Sequence, residues 1–159
     1  MEWLEVYVLC ESRSATAAHA FLKTFLPDRT PATDAYPIPE LVDLPVEVIR
    51  SPDDLILRLE TESRESYSLY WNSTSNRGPR QAMLFYSEDG AMVAGLVVRS
   101  SEVDEFLLKL AQRVNGRFGY ISGDQPPPAT SAGFIEICLK STLPCIVDGK
   151  LRNSSTAID

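Results

Sequence analysis

A chain of 159 residues, 44% apolar and 23% charged, fits one globular domain with enough interior to fold without disulfide or metal staples. Its net charge of −7 argues against the clustered basic surface that a nucleic-acid backbone requires, and suits a basic partner. The longest apolar run, AMVAGLVV, is far too short for a bilayer, and MEWLEVYVLC lacks the basic start of a signal peptide. A cytoplasmic protein with no membrane and no nucleic-acid partner is expected.

Residues 3–10 alternate Leu4, Val6, Val8 and Cys10 against Glu5, Tyr7 and Leu9, the period of a strand. In SRSATAAHAFLKTFLP the spacing changes. Ala18, Phe21, Leu22, Phe25 and Leu26 share one helix face, with Ser14 to cap its start and Pro27 to stop it. His19, the single histidine, lies off that face and reads as an exposed helix residue. Residues 28–45, DRTPATDAYPIPELVDLP, read as a proline-rich connection extended over the surface, with no element of its own. A short strand at 46–49 precedes SPDDLILRLETE, where Ser51, Pro52 and Asp54 suit the N-cap, N1 and N3 positions of a helix. Leu55, Ile56 and Leu59 form its apolar stripe, and Arg58 stands at i,i+4 spacing from both Asp54 and Glu62.

YSLYW places Tyr67, Leu69 and Trp71 on one strand face, so Trp71 reads as a core residue. NSTSNRGPR is a loop by composition. AMLFY and MVAGLVV are strands joined by an Asp89-Gly90 hairpin, apolar on both faces as central strands under helices are. Ser101 and Asp104 form a capping box before the stripe Val103, Phe106, Leu107, Leu110, Ala111 and Val114, and Asn115-Gly116 supplies the stop. FGYIS reads as a strand and GDQPPPATS as a rigid linker. GFIEICLK fits helix or strand, CIVDGKLR a hairpin around Asp148-Gly149, and the last residues a frayed end. The sum is an α+β fold, a mainly antiparallel central sheet with about three helices packed on it. Residues 1–134 form the domain, and 135–159 a C-terminal extension whose hairpin packs on it.

No nucleotide-binding glycine loop, zinc-protease motif or nucleophile elbow is present. Cys10, Cys138 and Cys145 have no CxxC spacing and read as reduced core thiols, so no metal, cofactor or catalytic residue is expected. NST at Asn72 and NSS at Asn153 read as chance matches to the glycosylation pattern. Glu88 and Asp89 at a hairpin tip are turn chemistry, and Glu40 and Asp43 do not converge in an extended segment. What remains is surface for recognition. Residues 28–45 carry Asp28, Asp34, Glu40 and Asp43, and Tyr36 among them is either a rigid interface anchor or a satellite of the core.

The succession RSATAAHAFLKTFLPDR, DAYPIPE, LYWN, AMLFYSEDGAMVAGL and FGYISGDQPPP resembles a group of small bacterial immunity proteins encoded beside polymorphic toxins. The resemblance spans roughly residues 1–134. It implies a non-enzymatic cytoplasmic protein that binds and neutralises a cognate toxin domain, and it carries over no catalytic residue. On that reading Asp34, Tyr36, Glu40, Asp43, Tyr70 and Asp89 are the candidate toxin-binding residues, facing a basic partner. The alternative is an enzyme or small-ligand-binding domain using an aromatic–acidic pocket near Tyr36, Tyr70 and Asp89. A concave pocket with perturbed carboxylates favours the alternative, and a shallow acidic face favours the inhibitor.

Overall fold

The computed structural model describes residues 2–153. The expected frayed end, and the two serines of the NSS match, lie outside the described residues. In chain order the elements are β1 (Trp3–Leu9), α1 (Ala15–Phe25), β2 (Arg29–Pro31), β3 (Tyr36–Ile38), β4 (Glu47–Ile49) and α2 (Pro52–Thr61). There follow β5 (Tyr67–Ser73), β6 (Gln81–Tyr86), β7 (Met92–Arg99), α3 (Val103–Arg113), β8 (Phe118–Ser122), α4 (Ser131–Lys140), β9 (Cys145–Val147) and β10 (Lys150–Arg152). The fold is α+β, with eight strands in one sheet ordered β10-β9-β8-β1-β7-β6-β5-β2 and every ladder antiparallel. β3 and β4 form a separate hairpin. No helix among the described residues is long and apolar enough to cross a membrane.

The apolar patterns decide which strands lie inside. β7 buries every residue but its last: Ala94, Leu96 and Val98 lie in the core under the helices, and Val93 and Val97 lie in the aromatic cluster of the other face. On the first face Val6, Leu69, Trp71, Leu84 and Leu96 pack under the stripes of α1, α2 and α3. Trp71 is 2% exposed and belongs to this layer, as its place in the alternation predicts. On the second face α4 lays Phe134 and Cys138 against Tyr7, Met83, Val93 and Tyr120. An aromatic ladder crosses this face edge-on from Tyr70 to Phe85 (5.9 Å), Phe85 to Tyr7 (5.7 Å) and Tyr7 to Tyr120 (5.7 Å), ending on Phe134. It requires Gly95 on β7, where a Cβ would stand 2.7 Å from the Tyr7 ring that leans across it.

The helix starts follow local chemistry. Ser14 Oγ accepts the Ala17 amide (3.1 Å), Ser51 Oγ the Asp54 amide (3.4 Å) and Thr130 Oγ1 the Gly133 amide (3.1 Å). The last of these resolves GFIEICLK as part of α4, a fourth helix. Three expectations are corrected. The 28–45 connection contains β2 and β3, because Arg29–Pro31 pairs with the end of β5 and Tyr36–Ile38 with β4. The Ser101 capping box does not form, since Ser100–Glu102 make a 3-10 turn and Glu102 precedes α3 without a side-chain cap. Arg58 turns away from Asp54 and Glu62 and pairs with Glu47 and Glu65, joining α2 to β4 and to the loop before β5. The three cysteines are free thiols, with Cys138 and Cys145 buried and Cys10 half-buried.

Candidate functional site

The β3–β4 hairpin stands at the edge of the sheet beside β5. Two tyrosines fix its base. Tyr67 Oη donates to the Pro37 carbonyl (2.9 Å), and the Tyr36 ring meets the Tyr67 ring edge-on at 6.2 Å. Tyr36 is itself buried, with its hydroxyl turned back onto the Thr33 carbonyl (3.3 Å). This corrects one candidate contact: Tyr36 has no surface to offer a partner, because it closes the junction between hairpin and sheet.

Beyond Ile38 the hairpin opens into a loop with the reverse pattern. Leu41, Leu44 and Val46 are 93%, 89% and 85% exposed, and Val42 and Val48 are also outside. Asp43 and Glu47 are exposed among them, and so is Asp34 ahead of the hairpin. The strand pair turns Tyr36 and Ile38 onto the core, and the loop beyond it leaves these side chains uncovered among the described residues. Single exposed apolar residues are ordinary, and a run of them on one loop makes this the candidate recognition surface.

Glu40, at the start of this loop, turns the other way. Its Oε1 accepts the Ser68 amide on β5 (3.1 Å), and the side chain lines a groove of about 480 Å³ on the second face of the sheet. The groove runs between Tyr70 and Phe85 on one side and Pro126–Pro128 with the start of α4 on the other. Glu88 stands at its rim. Burial pushes the Glu40 carboxyl above its ordinary value, against the opposing effect of the Ser68 amide. Among the described residues no lysine or arginine forms an ion pair with it. Glu40 and Tyr70 are therefore brought together, while Asp34 and Asp43 stay on the loop side.

Asp89 serves the fold. Its carboxylate accepts from the Ser87 hydroxyl and from the Ser131 amide (2.8 Å) in the first turn of α4. These two contacts, the Ser87 hydroxyl foremost, hold it below the usual carboxylate range. It ties the β6–β7 turn to α4 and does not line the groove beside Tyr70.

Arg13 is the functional-looking residue that sequence reasoning passed over, and it too is structural. It is 8% exposed, stacks 5.0 Å from the Tyr86 ring centre, and donates only to main chain. Nε reaches the Leu59 carbonyl (2.7 Å), Nη1 those of Ser87 (2.8 Å) and Ala91 (3.3 Å), and Nη2 those of Glu62 (2.9 Å) and Glu65 (2.7 Å). One side chain thus holds the end of α2, the loop before β5 and the β6–β7 turn. A larger cavity of about 670 Å³ lies between β1, β8 and the end of α3. Its charged groups already have partners: Glu11 accepts from Asn115, and Arg117 pairs with Asp148. Among the described residues no group of three or more His, Cys, Asp or Glu is placed to hold a metal ion. The single histidine, His19, lies 3.9 Å from Asp53 on the outer surface of α1 and α2.

Compared with protein-family models, with curated proteins and with solved structures, the chain finds no match in any of the three.

Proposed function

We propose that this protein is a non-enzymatic inhibitor of the immunity type, which binds a basic toxin domain encoded beside it and covers its active site. The observation that carries this reading is the loop of residues 41–46. Leu41, Leu44 and Val46 bury almost nothing in the folded monomer, yet they are held outward on a hairpin whose base is pinned by Tyr36 and Tyr67. Burying them against a partner recovers the apolar transfer energy that folding leaves unused. The surrounding carboxylates Asp34, Asp43 and Glu47 suit a basic rim on that partner and speed its approach. The resemblance to immunity proteins supports the same reading, as does the net charge of −7.

The second reading, an enzyme or small-ligand domain, is favoured by the groove itself, which is concave, aromatic and carries a carboxyl of raised pKa. Against it, the groove holds Ser68, Ser87, Thr130 and Ser131 but neither the histidine nor a cysteine to activate a hydroxyl. The deciding experiment is co-expression with the adjacent toxin domain. Survival of the cells and a stable complex with the intact toxin are expected. Death of the cells together with no complex overturns the inhibitor reading.

A further inference from the structure

The groove beneath Tyr70 is walled by rings and prolines, and its chemistry is one-sided. Its two charged lining residues, Glu40 and Glu88, are both carboxylates. Glu40 is half-buried, gives one oxygen to the Ser68 amide, and has no basic partner among the described residues. A carboxylate drawn partly out of water with no cation beside it is costly, and an arriving cation relieves that cost. The Tyr70 ring, 38% exposed and fixed edge-on against Phe85, presents aromatic surface at the same place. An aromatic face beside a carboxylate is the recurring cradle of a guanidinium or ammonium group. At about 480 Å³ the space exceeds what one side chain needs and accepts a short piece of main chain with it. Glu40 is followed directly by Leu41, so the groove lies at the foot of the exposed apolar loop.

We propose that this groove receives an arginine or lysine side chain carried on a loop of the toxin domain, held between the Glu40 and Glu88 carboxylates and the Tyr70 ring. The identity of the partner rests on the inhibitor reading; the cation preference of the groove does not. In the bound state Glu40 keeps its bond to Ser68 and offers its second oxygen to the incoming cation. The neighbouring apolar loop then packs on the surface beside it.

The test has two arms. In the first, isotope-labelled protein is titrated with acetyl-Gly-Arg-Gly-amide, its lysine counterpart, and the citrulline counterpart, which keeps the shape and loses the charge. Saturable amide shifts at Ser68, Tyr70 and Glu88 with the basic peptides, absent with citrulline and weakened roughly tenfold in Glu40→Gln, are expected. The side-chain carbonyl that Glu40→Gln introduces can still accept the Ser68 amide, so that variant isolates the charge. Equal shifts with citrulline, shifts elsewhere, or no saturable shift overturn the cation site. In the second arm, Glu40→Gln and Glu88→Gln are assayed for protection and binding against the toxin domain. Full protection and unchanged affinity in both variants overturn the toxin as source of the cation, while the inhibitor reading stands. If the wild type neither protects nor binds, yet the arginine peptide does bind, the inhibitor reading fails and the cation site stands.

Discussion

Arg13 lies inside the protein, and Leu41, Leu44 and Val46 lie outside it. Each is an exception to the usual partition of charge and oil, but the two differ in how their exceptional groups are served. The guanidinium has five main-chain carbonyls and an aromatic ring, so its burial is fully answered within the chain. The loop leucines have no such answer within the described residues. A buried charge with all its donors used belongs to the architecture. Exposed apolar side chains on a pinned hairpin are, on the proposed reading, kept for a partner.

The contrast can be broken by mutation. Trp71→Ala sets the scale for an ordinary core loss, at about 3–5 kcal/mol of unfolding free energy through the cavity left behind. A denaturation midpoint shifted by less than about 1 kcal/mol, with binding lost, would move Trp71 to the interface. Arg13→Met keeps the aliphatic stem and removes the donors, and should cost about 3 kcal/mol because several buried carbonyls lose their partner. The folded fraction should bind the toxin domain as tightly as the wild type. A binding defect at full folding would place Arg13 among the contacts.

On the other side of the comparison, the combined change Leu41→Ser, Leu44→Ser and Val46→Ser should move stability by no more than about 0.5 kcal/mol. Dissociation of the complex should quicken by at least about tenfold, since apolar anchors act on the off-rate. An unchanged off-rate would strip the loop of its assigned role. Asp34→Asn with Asp43→Asn should slow association by a few-fold in dilute buffer. The difference should fade near physiological salt, where the Debye length is about 8 Å. A salt-independent effect would argue against steering.

The smallest effect concerns protons. Burial raises the folded-state Glu40 carboxyl above its ordinary value of 4.5, so the folded protein holds this proton more firmly than the unfolded chain. Its contribution to stability is complete below the unfolded value and is lost as pH rises through the folded one. Glu40→Gln should therefore gain in Tm relative to the wild type as pH rises above the ordinary carboxyl value of 4.5. Melting curves showing a constant difference as pH rises would contradict it.

Much of the fold was legible because it rests on local periodicity. Val6 and Val8, the α1 and α3 stripes, Trp71 and the Asp148-Gly149 hairpin all lie where alternation and turn chemistry place them. Tertiary competition decided the exceptions. Arg58 found Glu47 and Glu65 more accessible than the carboxylates on its own helix, and Arg13 found carbonyls 46 to 78 residues away. Such long-range partners leave no periodic trace. Of the candidate residues, Glu40 and Tyr70 meet at the groove and Asp34 and Asp43 stand exposed on the loop side, while Tyr36 is buried and Asp89 is bound to α4. Leu41, Val42, Leu44 and Val46 were open to inference, because apolar residues in a segment read as surface must face water or a partner.

The Glu40–Ser68 bond also bears on how the protein survives alone. β2 pairs only with residues 71–73 of β5, and the Ala32 amide extends that cover to the Tyr70 carbonyl. The earlier part of β5 is thus a sheet edge without a neighbouring strand of its own, the kind of template on which another chain can lengthen a sheet and start an aggregate. Glu40 occupies the outward amide of Ser68 and sets a carboxylate where the backbone of an incoming strand would have to lie. With oily side chains exposed a few residues away, this stretch of edge is closed by a charge.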